Sequence, residues 1–151
     1  PLEHRIEPCG QARGIRFVND SKATNTDAVS KALTAFAPGS VLILLGGHDK
    51  GTELADMASD VAASARVAVC FGEAGERIAQ ALEAQGPALE VIRAEHMEQA
   101  LDAAIAQARP GDVVLLSPAC SSFDEFSGYE ERGRVFKGLV AQRIKAMEER
   151  Q

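Results

Sequence analysis

The stretch SVLILLGG, residues Ser40–Gly47, decides the fold of this 151-residue chain. It holds five consecutive large apolar residues with no polar residue between them. A strand with one solvated face alternates apolar and polar side chains, whereas a strand buried on both faces reads as a continuous apolar run. Gly46 and Gly47 end the run and permit a tight turn. The stretch therefore predicts a strand of a parallel sheet that is covered on both sides.

The segments on either side of Ser40–Gly47 alternate between strand and helix patterns. The extended segments are HRIEPCG (4–10), GIRFVND (14–20), RVAVCFG (66–72), LEVIRA (89–94) and DVVLLS (112–117), and the helical ones are TDAVSKALTAF (26–36), ELADMASDVAAS (53–64), ERIAQALEAQ (76–85), MEQALDAAIAQA (97–108) and RVFKGLVAQRIKAM (134–147). This order predicts one α/β domain over residues 1–151, with a three-layer, mostly parallel, Rossmann-like sheet of about six strands and helices on both faces. The last helix is expected to turn five apolar residues inward: Val135, Phe136, Leu139, Val140 and Ile144.

Composition narrows the class of protein. A formal charge of −6 and a pI near 5.1 argue against a nucleic-acid partner. The three cysteines, Cys9, Cys70 and Cys120, form no CxxC pair and no disulfide framework, which fits a reducing cytoplasm. There is no signal-peptide pattern and no apolar run of membrane-spanning length. The chain begins without Met, and we expect it to be a piece of a longer protein.

Three of the predicted strands end in polar segments: NDSKATN (19–25), GGHDKG (46–51) and SPACSS (117–122). Parallel strands share their carboxyl edge, and ligands of such sheets bind there. The topology therefore predicts one neighbourhood for Asp20, Lys22, Thr24, His48, Lys50, Ser117 and Ser122.

The NDSKATN segment has two interpretations. Helix capping by Thr24 or Asn25, with Asp27 in the first turn, accounts for its second half. Capping does not account for Lys22, a cation near a helix N-terminus, where the helix dipole disfavours it. A bound phosphate or carboxylate would remove that conflict. Both interpretations remain open on the residues alone.

The GGHDKG segment reads, taken by itself, as a strand-to-helix turn with a solvated Asp49–Lys50 pair. It is not a Walker A loop, because Thr52 follows Gly51 where that motif requires lysine. No role is predicted for His48 beyond that of an exposed loop residue.

In the SPACSS segment, Cys120 is expected to be an inert buried thiol rather than a nucleophile. Ser121 and Ser122 suit a backbone nest for a carboxylate. The three histidines, His4, His48 and His96, share no metal-ligand spacing, and no metal site is predicted. His96 is expected at a solvated helix start.

Taken together, the motifs HR (4–5), NDSKATN, GGHDKG and LLSPACSSFDEFSGYEERG (115–133) resemble the Mur ligases in order and spacing. NDSKATN together with SPACSSFDEF is most similar to the branch that adds D-glutamate to UDP-N-acetylmuramoyl-L-alanine. The resemblance spans essentially the whole chain. It implies the C-terminal domain of a three-domain, ATP-dependent ligase whose N-terminal domain and central P-loop ATPase lie outside this sequence.

The resemblance also implies roles for individual residues. Thr24, Lys50, Ser122, Phe123 and Tyr129 would bind D-glutamate, while His4, Arg5, Asp20 and Lys22 would face ATP. Lys22 would act catalytically on phosphate charge, and Mg²⁺ would be bound mainly by the absent central domain. The implied protein is a monomeric bacterial cytoplasmic enzyme of peptidoglycan synthesis, and the isolated chain is expected to be inactive.

Three alternatives stay open at this point. The first is the glutamate-ligase domain of another Mur ligase or of a folylpolyglutamate synthase. The second is a standalone α/β ligand-binding module. The third, a nucleotide-dependent dehydrogenase, is disfavoured because no G-x-G-x-x-G follows the first strand.

Overall fold

The computed structural model describes residues 2–150 and contains six strands and five helices in an alternating order. The strands are β1 (Glu7–Ala12), β2 (Ile15–Asn19), β3 (Val41–Gly46), β4 (Ala65–Phe71), β5 (Glu90–Arg93) and β6 (Val113–Ala119). The helices are α1 (Thr26–Leu33), α2 (Ala55–Ser64), α3 (Gly75–Glu83), α4 (Met97–Gln107) and α5 (Tyr129–Glu149).

The strands form one sheet in the order β1-β2-β6-β3-β4-β5. Only β1 is antiparallel to its neighbour, while every other pair is parallel. β3 pairs with β6 on one side and with β4 on the other, so the apolar run occupies an interior position of the sheet. The predicted fold class and strand number are confirmed.

Strand β3 is buried on both faces, as its continuous apolar run predicts. Val41, Ile43 and Leu45 pack in the core formed with α1, α2 and α3. Leu42 and Leu44 pack in the opposite core, formed with α4 and α5. Full burial of such side chains contributes about 1.5–3 kcal/mol each, so this strand stabilises both layers at once.

Helix α5 begins earlier than the sequence pattern predicts. We expected a loop through Gly133, but the helix starts at Tyr129. Glu130 and Glu131 lie in its first turn, where acidic side chains are favoured by the helix dipole. Gly133 is buried against the ring of His4, so this glycine marks close packing rather than a loop.

The buried face of α5 also differs from the expectation. Phe136 and Val140 are buried and Leu139 and Ile144 are half-buried, but Val135 is 39% exposed, so its predicted inward position is wrong. Arg132, Phe136 and Val140 are buried at a spacing of four, and the face that they define leaves Val135 outside the core.

Within residues 2–150, no helix combines the length and the apolar content needed to cross a membrane.

Candidate functional site

The carboxyl ends of β2, β6, β3 and β4 lie side by side, and three loops meet there. The Ser117 hydroxyl donates to Asp20 Oδ2 at 2.7 Å. The Ala119 amide donates to the Ala23 carbonyl at 2.9 Å, and the His48 amide donates to the Ser121 carbonyl at 2.9 Å. The three polar segments are thus tied to one another, and the predicted neighbourhood is confirmed for Asp20, Ser117 and His48.

A cavity of about 450 Å³, here called the cation cavity, opens at the end of β2. It is lined by Arg5, Ile6, Asp20, Lys22, Ala23, Asn25, Asp27, Ala28, Lys31 and Ala32. Three of these side chains are cations, and none of the three takes part in an ion pair among the residues that the structure describes. The volume lies in the range of small-molecule sites, and the free cations suit an anion.

Asp20 forms part of the cavity wall and is 4% exposed. Its Oδ1 accepts the Ile6 amide at 3.0 Å, and its Oδ2 accepts the Ser117 hydroxyl. Burial raises the pKa of the Asp20 carboxyl above its usual value, although these two hydrogen bonds and Arg5 oppose the shift. Asp20 therefore fixes the segment that precedes β1 onto the end of β2.

The loop between β2 and α1 carries Lys22 into the cavity. The Lys22 amide donates to the His4 carbonyl at 3.0 Å, while the Lys22 side chain is exposed. Asn25 is the N-cap of α1, and its Oδ1 accepts the Ala28 amide at 2.9 Å. The capping interpretation is confirmed for Asn25, and it leaves the Lys22 side chain with no structural partner in residues 2–150.

His4 and Arg5 are adjacent in sequence but lie in different surroundings. Arg5 lines the cation cavity, whereas His4 is 3% exposed and packs edge-on against Tyr129, with ring centroids 5.9 Å apart. The Asn19 side-chain amide lies 3.0 Å from His4 Nδ1, and the buried His4 Nε2 has no hydrogen-bond partner in the described part of the chain. The assignment of His4 to ATP stays a prediction.

A second opening, here called the lysine cleft, lies between the start of α1, the loop after β3 and the end of β6. It is lined by Thr26, His48, Asp49, Lys50, Thr52, Leu54, Ala74, Arg77, Ile78, Ala119 and Cys120. Its cavity is only about 10 Å³, room for one water at most. Lys50 is exposed and forms no ion pair among residues 2–150. It is therefore a cation of this cleft whose charge is available to a ligand.

The remaining residues predicted to bind D-glutamate do not line the lysine cleft. Thr24 is half-buried in the β2–α1 loop, and the buried Ser122 hydroxyl has no hydrogen-bond partner among the residues that the structure describes. Phe123 is 69% exposed, and Tyr129 lies at the start of α5 beside His4. Of the five residues predicted to bind D-glutamate, Lys50 alone lines this cleft within residues 2–150.

Cys120 lines the lysine cleft but is not suited to act as a nucleophile. Its side chain is 8% exposed, and burial raises the pKa of its thiol to about 11. A thiol with that pKa is protonated at neutral pH. The predicted burial of this cysteine is confirmed, and its inert role stays a prediction.

Arg132 is a buried cation that the sequence interpretation missed. It is 1% exposed and donates from Nε to the Ser21 hydroxyl at 2.9 Å, from Nη2 to the Ser21 carbonyl at 2.7 Å, and from Nη1 to the Cys120 carbonyl at 2.9 Å. Burial lowers the pKa of this guanidinium to about 10. Arg132 thus joins the loop of Lys22 to the loop of Ser122. Its spacing of four from Phe136 and of eight from Val140 was the signal that could have placed it on the inner face of α5.

The pair of Arg77 and Asp49 was missed as well. Arg77 Nε lies 3.1 Å from Asp49 Oδ2, and Arg77 Nη2 lies 2.9 Å from Asp49 Oδ1. The two residues are 28 positions apart in the sequence, so the expected solvated pair of Asp49 with Lys50 is replaced by a pair with α3.

Comparison with known proteins gives a family match. Residues 4–120 match the family model described as Mur ligase, glutamate ligase domain. Over 139 residues, or 92% of this chain, the sequence is 44% identical to a UDP-N-acetylmuramoylalanine--D-glutamate ligase of Solibacter usitatus and 48% identical to one of Desulfitobacterium hafniense. The chain spans about 30% of the length of these relatives.

Solved structures share the fold at low sequence identity. MurC, a UDP-N-acetylmuramate-alanine ligase from Thermotoga maritima, superposes with a TM-score of 0.64 at 16% identity, over 94% of this chain and 31% of that one. The FolC of E. coli in complex with ADP gives a TM-score of 0.64 at 18% identity, over 94% and 32% of the two chains. These likenesses establish the same α/β architecture in longer chains.

Proposed function

The chain belongs to the Mur ligase family as its C-terminal, glutamate ligase domain, and on this premise we propose that it serves the ligase that adds D-glutamate to UDP-N-acetylmuramoyl-L-alanine. The names of relatives that are 44–48% identical over 92% of the chain support this choice of amino acid. In this proposal, an N-terminal domain and a central ATPase domain complete the enzyme.

The proposed reaction has two steps. An oxygen of the alanyl carboxylate attacks the γ-phosphorus of ATP, so that an acyl phosphate forms and ADP leaves. The free amine of D-glutamate then attacks the acyl carbon, inorganic phosphate leaves, and the amine nitrogen loses a proton as the amide forms. Both steps need charge stabilisation and alignment of the reactants rather than a side-chain nucleophile.

The observation that carries the proposal is that two lysines without an ion-pair partner in residues 2–150 lie at the same edge of the sheet, each beside a different opening. Lys22 lines the cation cavity and Lys50 lines the lysine cleft. A nucleotide phosphate suits the first, because Arg5 and Lys31 add charge there. A carboxylate of D-glutamate suits the second. Lys22 then stabilises phosphate charge during the reaction.

The amino-acid site is completed by closure of the other domains against this one. A cavity of about 10 Å³ beside Lys50 cannot hold glutamate. The Thr24 and Ser122 hydroxyls orient the amino acid in the closed enzyme, and Phe123 and Tyr129 border it. Sites that assemble on domain closure are common in enzymes that must exclude water. The chain alone is therefore proposed to be inactive.

Mg²⁺ does not fit the residues of this domain. Within residues 2–150, no three His, Cys, Asp or Glu side chains are grouped so that they could hold a metal ion, and both Asp20 oxygens already accept hydrogen bonds. We assign Mg²⁺ to the central domain. His4 and Arg5, which precede β1, are assigned to the nucleotide side.

The test is an enzyme in which this chain replaces the matching 30% of the Desulfitobacterium hafniense relative, here called the fused ligase. ADP release is measured with D-glutamate, L-glutamate or a diamino acid as the amine. We expect release to depend on D-glutamate. Lys50→Gln should weaken the use of D-glutamate about ten- to hundredfold, because a hydrogen bond to a charged group contributes about 1.5–3 kcal/mol.

Lys145→Gln is the matched control, since Lys145 is an exposed lysine of α5 that lines neither opening. It should leave ADP release unchanged. Preference for L-glutamate or a diamino acid would indicate that the domain belongs to a folylpolyglutamate synthase or to another Mur ligase. Equal losses for the two lysine variants would refute the role of Lys50.

A second measurement uses the chain alone. Amide NMR titrations of residues 1–151 with ATP and with D-glutamate separate the two openings. ATP should shift amides around Lys22, and D-glutamate should bind far more weakly than in the fused ligase, because the lysine cleft is not preformed.

A further inference from the structure

The backbone of the loop that carries Lys50 is held on each side of that residue by a carboxylate, that of Asp49 after it and that of Glu73 before it. The Gly51 amide donates to Asp49 Oδ1 at 2.8 Å, and the Asp49 amide donates to Glu73 Oε1 at 2.8 Å. Gly51 has a φ of +73°, a left-handed conformation that glycine adopts readily. The course of the backbone directly after Lys50 thus depends on where the Asp49 carboxylate is fixed.

Arg77 fixes that carboxylate. Its Nε and Nη2 bind the two Asp49 oxygens at 3.1 and 2.9 Å, a forked contact that sets orientation as well as distance. Arg77 lies in the first turn of α3, and that helix is itself anchored to the end of β3, because the Ala74 amide donates to the Gly47 carbonyl at 2.9 Å. The pKa of the Asp49 carboxyl is lowered, first by Arg77 and then by the Gly51 amide, so the carboxylate stays charged at neutral pH.

Arg77 and Lys50 both line the lysine cleft, but they differ in whether they form an ion pair. Both guanidinium contacts of Arg77 go to Asp49, whereas Lys50 has no ion-pair partner in residues 2–150. We propose that Arg77 is a positioning residue, which acts through Asp49 to hold the loop so that Lys50 meets a carboxylate of the amino-acid substrate. This inference rests on the proposed function, because it takes Lys50 as the group that binds the amino acid.

The first test needs no substrate. Hydrogen exchange of the Gly51 amide is measured by NMR in residues 1–151, with Arg77→Gln compared with Arg93→Gln. Arg93 is the matched control, since it forms exposed ion pairs with Glu76 and Glu83 of the same helix and does not line the cleft. We expect Gly51 exchange to become about two- to fivefold faster in Arg77→Gln, the range that a pair of this exposure supports, and to stay unchanged in the control. Unchanged exchange in both variants overturns the inference.

The second test uses the fused ligase. Arg77→Gln should raise KM for D-glutamate about two- to fivefold and leave KM for ATP unchanged, while Arg77→Lys should fall between the two because it keeps the charge and loses the fork. In the Lys50→Gln background, Arg77→Gln should cause no further loss, since the residue acts through Lys50. A further loss of the same size would overturn positioning and indicate that Arg77 binds the amino acid itself.

The two tests separate failure of the inference from failure of the proposed function. If Gly51 exchange responds but the unsubstituted fused ligase uses no amino acid, the proposed function fails and the Arg77–Asp49 contact is only a loop anchor. If the fused ligase uses D-glutamate and Arg77→Gln changes neither KM nor Gly51 exchange, the proposed function stands and the positioning role is refuted.

Discussion

Two glycines of α5 allow a direct test of how closely this helix packs on the segment before β1. A Cβ added at Gly133 would lie 2.1 Å from His4 Nδ1 and 3.1 Å from Asn19 Nδ2. A Cβ added at Gly138 meets no atom of residues 2–150 within 4 Å. Both substitutions by alanine improve helix propensity, but only the first creates a collision.

The magnitudes follow from these distances. Gly→Ala in a helix interior gains about 1 kcal/mol, and Gly138→Ala should stabilise the domain by about that amount. At Gly133 the gain is opposed by about 1–3 kcal/mol of overpacking and by about 1 kcal/mol for the strained Asn19–His4 hydrogen bond. Gly133→Ala should therefore destabilise by about 1–3 kcal/mol, opposite in sign to its control.

Urea unfolding of residues 1–151, followed by circular dichroism, measures both changes. The midpoints should move in opposite directions at a constant m-value. Adding His4→Ala to Gly133→Ala removes the ring that the methyl group meets, so the double variant should be more stable than the sum of the single effects predicts. Equal, stabilising shifts for the two glycine variants would refute the close packing of His4 on α5.

Three further predictions follow from burial and pKa. Phe136→Ala should cost about 3–5 kcal/mol in urea unfolding, whereas Val135→Ala on the exposed side should stay within about 0.5 kcal/mol. The raised pKa of Asp20 means that the folded state holds this proton more tightly than the unfolded one, so stability falls as pH rises from about 4, the unfolded pKa, through the folded pKa. Asp20→Asn should therefore gain stability relative to the parent over that interval, and an opposite trend in pH-dependent unfolding would contradict the pKa direction. Burial raises the pKa of the Cys120 thiol to about 11 and those of Cys9 and Cys70 to about 12. All three thiols should therefore resist iodoacetamide at pH 7.5 until the chain is unfolded, as measured by mass spectrometry. Rapid labelling of Cys120 in the native chain would contradict its inert role.

Much of the fold was predictable because it depends on local patterns. The apolar run of Ser40–Gly47 identified a strand covered on both faces, and strand–helix alternation then implied the parallel sheet and its ligand-binding edge. The Asn25 cap was predictable for the same reason, because an N-cap contact involves residues within three positions of one another. Val135 was misassigned because it was placed inward with its apolar neighbours, although the buried face of α5 runs through Arg132, Phe136 and Val140.

Parts of the candidate site depend on contacts that no local pattern reports. Within residues 2–150, Arg132 has no acidic partner, and it donates to Ser21 and Cys120, which are 111 and 12 positions away. The contact of Arg77 with Asp49 joins α3 to the loop after β3. The small size of the lysine cleft results from how three loops pack together, which neither periodicity nor a motif encodes.

The strand order has a consequence for how the chain folds as it is synthesised. Strands β2 and β3 are made early but are not neighbours, because β6 lies between them. Until residues 113–119 leave the ribosome, the β1–β2 hairpin lacks the strand that joins it to β3, and we expect the growing chain to hold two separate β units. Contacts between segments so distant in sequence form late and slowly. Nascent chains that stop before Val113 are therefore expected to expose the apolar edges of both units and to be chaperone and protease substrates. The domain is expected to fold as one cooperative unit only when β6 inserts between β2 and β3.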